Sequence, residues 1–115
     1  MQITVTGRHV DITDAIRHYA EDKVAHDMAD FDRVESVHVI LNLEKYRHLA
    51  EVVVKGKDHL HIEAEEESDD MYASMDVAVE KAAKQLRKHR DKVQDHKSKS
   101  LAELEVEMQQ QEEPQ

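Results

Sequence analysis

The sequence predicts an α+β domain with the order β-α-β-β-β-α, a four-stranded mixed sheet with two helices packed on one face. Four segments alternate apolar and polar residues with the two-residue period of half-buried strands. Two longer segments repeat their apolar residues every three or four positions, as amphipathic helices do. A helical crossover between the first two strands makes them parallel, and the short connections that follow make the remaining pairs antiparallel.

Residues 2–8 alternate Ile3 and Val5 with polar neighbours and form the first strand, ended near Gly7. Thr13 is placed to cap a helix, with Asp14 suited to its positive pole. That helix is expected to run to about Asp30, with Ile16, Ala20, Val24 and Met28 on one i+4 row and Tyr19 beside them; Tyr19 and Phe31 read as core. Residues 34–44 set Val37, Val39, Leu41 and Leu43 on one face and His38, Ile40 and Asn42 on the other. Lys45-Tyr46-Arg47 forms an exposed connection to a third strand from Leu49 to Lys55, which turns at Gly56-Lys57-Asp58. In the fourth strand, His59 to Glu66, Leu60, Ile62 and Ala64 face inward while His59, His61, Glu63 and Glu65 face outward. A second helix is expected from about Asp70 to Asp95, with Met75, Val79, Ala82, Leu86 and Val93 in one narrow stripe. The domain is thus expected over residues 1–96. Residues 97–115 form an acidic tail, rich in Glu and Gln and expected to be disordered.

Composition removes several function classes. With 115 residues there is room for one domain, and a mean hydropathy of −0.79 implies a small core and a heavily solvated surface. The chain has no cysteine and only Gly7 and Gly56 as glycines, so thiolate chemistry, cysteine zinc sites and glycine-rich phosphate cradles are excluded. No stretch approaches the length of an apolar membrane span, so a cytoplasmic protein without membrane partners is expected. His59 and His61 share a strand face but lack a third convergent ligand, and no nucleophile elbow or His-Glu-x-x-His is present. No enzymatic activity, cofactor or small-molecule substrate is expected.

The net charge of −10 is unevenly distributed: residues 1–80 carry −11, residues 81–99 carry +6 and residues 100–115 carry −5. Half of the Lys and Arg therefore lies in about a sixth of the chain. At 100° per residue, Lys81, Lys84, Lys88 and Lys92 share an arc of ~80° nearly opposite the apolar stripe, with Arg87 and Arg90 flanking it. Charge alone fits either a phosphate-binding face or a solvated helix end. His89, between Lys88 and Arg90, is the histidine best placed for RNA; His18 and His26 are weaker candidates on the first helix. With only Tyr19, Phe31, Tyr46 and Tyr72 as aromatics, an RNA partner would be read chiefly through backbone and shape.

Four segments carry a resemblance: Gly7 to Asp14, Phe31-Asp32-Arg33, Asp70-Met71-Tyr72-Ala73-Ser74-Met75-Asp76, and Lys84-Gln85-Leu86-Arg87-Lys88-His89-Arg90-Asp91-Lys92. Together they resemble the ribosome hibernation promoting factor family, which includes protein Y, over about residues 1–96. The resemblance implies a protein that sits on the small ribosomal subunit, in the channel that holds messenger and transfer RNA. It would shut translation down reversibly in starved or stationary cells, without chemistry. Family positions that face ribosomal RNA fall on Lys23 of the first helix and on Lys81, Lys84, Arg87, Lys88, Arg90 and Lys92 of the second. The chain resembles the short type, which lacks the ribosome-pairing domain, and a monomer is expected off the ribosome. One departure is His26-Asp27-Met28, where the family often has Lys-Leu-Glu; Asp27 then falls at a core position, with Met28 able to fill the gap. The rival readings are an RNA-binding module for a free structured RNA and an adaptor whose basic helix meets an acidic protein.

Overall fold

The first helix begins where Thr13, in extended conformation, accepts a hydrogen bond from the Ile16 N–H at 3.1 Å through its hydroxyl. The computed structural model describes residues 1–98, with side chains through Lys92. It contains β1 (Gln2–Arg8), α1 (Asp14–Asp27), β2 (Val34–Glu44), β3 (Arg47–Gly56), β4 (His61–Ser68) and α2 (Met71–Ser98). The sheet order is β1-β2-β3-β4, with β1 and β2 parallel and the other pairs antiparallel, as the sequence predicts. Val5 pairs with Val39, Val39 with Val52, and Val52 with Ala64, so one apolar row crosses the whole sheet.

Both helices cover that row, α2 over β3 and β4, α1 over β1 and alongside α2. Ala20 and Val24 of α1, with Met28 just after it, meet Met75, Ala78, Val79, Ala82 and Leu86 of α2 in one core with Val37, Val39, Leu41, Ala50, Val52 and Val54. Small residues on α2 let the helix approach the sheet closely. The one buried polar side chain among the described residues, Ser74, is fully satisfied: its hydroxyl donates to the His48 carbonyl at 2.7 Å and meets the Ser68 hydroxyl at 2.6 Å. β4 is an edge strand, and α2 guards it: Lys81 Nζ donates to the Glu65 carbonyl at 3.1 Å and Gln85 Nε2 to the Glu63 carbonyl at 3.2 Å.

Several boundaries differ from expectation for identifiable reasons. α1 stops at Asp27, short of Asp30, because the chain leaves the helix at Met28, and tight turns close from Phe31 N–H to the Met28 carbonyl and Val34 N–H to the Phe31 carbonyl. β4 begins at His61 instead of His59. Asp58 and His59 adopt left-handed φ values of 58° and 64°, which turn the chain and remove His59 from the outward face it was expected to share with His61. β3 begins at Arg47, earlier than expected, because that residue pairs with Glu44. Tyr19, expected in the core, is 37% exposed; it lies one residue, hence 100°, from the buried Ala20. The second helix extends to Ser98, beyond the expected stop near Asp95. The Val93 side chain and the tail from Lys99 onward lie outside the described residues.

Gly56 ties the β3–β4 turn to the loop before β2. A Cβ there would collide with the Arg33 carbonyl, which accepts the Lys57 N–H at 2.9 Å. The collision is with backbone, which cannot rotate away. Gly56→Ala should therefore destabilise the domain by about 1–3 kcal/mol, seen as a lower urea midpoint at unchanged slope.

Candidate RNA-binding face

α1 and α2 run side by side in the same direction, held by contacts that repeat one helical turn apart. Tyr19 donates its hydroxyl to Asp76 at 2.7 Å, and Lys23 donates to Glu80 at 2.8 Å. The Tyr19 ring meets Tyr72 edge-on, with centroids 4.8 Å apart and planes at 87°. The bond to Asp76, with burial adding to it, raises the Tyr19 pKa above its ordinary value. These contacts use the edge of α2 that faces α1, while Lys81 and Gln85 use the edge that faces β4. The crest between them is left to solvent.

The eight expected RNA-binding residues are sorted by this geometry. Lys23 is half-buried in the interhelical groove and bridges Glu80 and Asp27, the latter at 3.3 Å; its pKa is raised, foremost by the bond to Glu80. Lys81 bridges to Glu66 at 2.7 Å as well as to the Glu65 carbonyl. These two hold elements together. Lys84, Arg87, Lys88 and Lys92 are exposed, and neither Lys84 nor Arg87 makes an ion pair among the described residues. Arg87 closes one end of the groove that Lys23, His26 and Asp27 line. His89 and Arg90 are half-buried, and Arg90 lies over the Phe31 ring, its guanidinium carbon 4.9 Å from the centroid. The periodicity located the row of cations; it did not reveal that Lys23 and Lys81 are bound within the fold or that Phe31 carries Arg90, because those partners come from distant segments.

Asp27 is well covered, and Met28 beside it takes the buried position. Burial pushes the Asp27 carboxyl up, but hydrogen bonds from His26 and Lys23 outweigh it and hold the pKa below the ordinary value of 3.8. The exposed His26 ring approaches Asp27 to 2.9 Å.

Comparison with known proteins shows the family. The family model described as "Sigma 54 modulation protein / S30EA ribosomal protein" matches residues 3–94. The chain belongs to this family. A ribosome hibernation promoting factor of Escherichia coli K12 is 40% identical over 98 residues, which is 84% of this chain and all of that protein. The factor of Azotobacter vinelandii is 38% identical over 94 residues, 80% of this chain and 85% of that one. Among solved structures, a ribosomal subunit interface protein from Coxiella burnetii superposes with a TM-score of 0.74 at 33% identity, covering 79% of this chain and 99% of that one. The N-terminal domain of Thermus thermophilus protein Y superposes with a TM-score of 0.70 at 35% identity, covering 77% and 99%. These likenesses span the whole S30EA-family sandwich, including both helices that carry the cations.

Two outcomes check the sorting of charged residues. A carboxylate with a depressed folded-state pKa stabilises the fold above its unfolded value, and that contribution fades as pH falls through the folded value. Acid unfolding followed by circular dichroism from pH 6 to pH 2 should therefore lose less stability in Asp27→Asn than in the wild type. Lys81→Ala should lower stability by up to about 1 kcal/mol, as partly exposed ion pairs do, while Lys84→Ala should be neutral within about 0.5 kcal/mol.

Proposed function

We propose that this chain is a ribosome hibernation factor that binds ribosomal RNA of the small subunit, in the channel for messenger and transfer RNA. Bound there, it inhibits translation reversibly in stationary phase or stress. The observation that carries the reading is the exposed crest of α2: Lys84, Arg87, Lys88 and Lys92 project from a helix whose opposite stripe is buried, in a chain closely related to hibernation promoting factors. The mechanism is occupancy. A rigid helix offers its cations to phosphates and releases condensed counterions, and the bound domain fills space that RNA ligands need. No bond is made or broken, no cofactor takes part, and dissociation restores the ribosome. The protein acts in the cytoplasm and is a monomer when free.

The family description also names sigma-54 modulation, which favours a second reading in which the basic helix meets an acidic protein surface. Ribosome pelleting at several salt concentrations separates the two. The wild type should pellet with small subunits, with an affinity that falls steeply with salt. Lys84→Glu with Arg87→Glu should weaken binding without changing the circular dichroism spectrum. It should also flatten the salt dependence by about one unit for each phosphate that is no longer neutralised. Lys55→Glu, on the opposite face of the sheet, should bind like the wild type. A folded double variant that binds fully would overturn the mechanism, and a wild type that never pellets would favour the adaptor.

A further inference from the structure

A pocket of about 450 Å³ opens beside the cationic crest, between the α1–β2 loop, the β3–β4 turn and the C-terminal half of α2. Its floor is apolar, made by Val34, Leu60 and Leu86. One wall is the Phe31 ring with the Arg90 guanidinium held over it. The rim carries the carboxylates of Asp30, Asp32 and Asp91. Both arginines of the pocket are paired, Arg33 with Asp58 and Arg90 with Asp91, the latter at 3.8 Å. A volume of this order suits a ligand of nucleoside size. Three carboxylates repel a phosphate from the pocket itself, yet Lys88 and Lys92 stand exposed on the same stretch of α2, where a phosphate backbone is attracted.

We propose that this pocket receives one extruded purine base, guanine by its edge chemistry, from the structured RNA that the crest binds; the inference rests on the RNA-binding reading above. Guanine places an acceptor, O6, next to two donors, N1–H and N2–H₂. Asp30 at the rim supplies carboxylate oxygens that can accept from the two donors in parallel, while Arg90, paired with Asp91 at 3.8 Å, serves as a stacking plane and not as a donor to the base. The flat guanidinium gives the base a surface to stack on, and Phe31 positions that surface from behind. Adenine and the pyrimidines present only part of this pattern. The crest would then hold the backbone while the pocket fixes the register.

The test uses the full chain with purified small subunits, combining pelleting with kethoxal, which modifies the N1/N2 edge of guanine. The wild type should protect at least one guanine. Arg90→Lys keeps the charge but removes the plane, so it should lose that protection and bind about 5- to 100-fold more weakly with an unchanged salt slope. Phe31→Leu, which changes no charge, should do the same; circular dichroism checks its folding, and the half-exposed Arg90→Lys stands independently if it fails. Pelleting without a protected guanine overturns the pocket, as does protection that survives both variants or is supplanted by a protein cross-link to Phe31. A wild type that does not pellet overturns the ribosomal reading and this one with it.

Discussion

The burial of one narrow stripe on α2 sets the direction of every described cation on that helix. Met75, Ala78, Val79 and Ala82 are fully covered by the sheet, which fixes the rotation of the helix about its axis. Once that rotation is fixed, the helical period decides the rest. Positions on one flank reach α1, positions on the other reach β4, and those in between point to solvent. Apolar burial near 25 cal/mol per Å² holds this arrangement far more firmly than any single surface ion pair.

A second consequence is a molecule with two electrical faces. On the uncovered side of the sheet, Glu63 and Glu65 alternate outward along β4, with Glu51 opposite Glu65 in the register, while Glu67 is paired with Arg47 at 2.6 Å. Like charges directly across a strand pair cost stability. On the helical side the crest is cationic, with its neighbours Lys23 and Lys81 neutralised by carboxylates. A net negative charge is therefore compatible with the proposed RNA contact, because the charge on the helical crest differs in sign from that on the outer edge of β4.

Much of this was legible in the sequence, because it depends on period. The strand alternation gave the sheet and its mixed pairing, and the four-residue row of Ile16, Ala20, Val24 and Met28 gave the buried face of α1. The resemblance in the Asp70–Asp76 and Lys84–Lys92 segments pointed to the family that the comparisons then showed. What the sequence hid depends on chain reversal and long-range contact. His59 left its expected strand because two left-handed residues turn the chain, and nothing in the alternation forbids a strand there. Tyr19 looked like core by composition, yet a hydrogen bond to Asp76, 57 residues away, holds it at the surface. Lys23 and Lys81 belonged to the basic pattern, and only the packing shows that each is held by a carboxylate.

In the proposed complex the helical face, and not the sheet, meets ribosomal RNA. The chain contains no cysteine, so a single one can be introduced and tethered to iron-EDTA to generate hydroxyl radicals at a chosen position. With the iron at Lys84→Cys, bound to small subunits, strong local cleavage of the ribosomal RNA is expected, whereas the iron at Lys55→Cys should cut weakly. Equal cleavage from both positions, or stronger cleavage from the sheet, would contradict it.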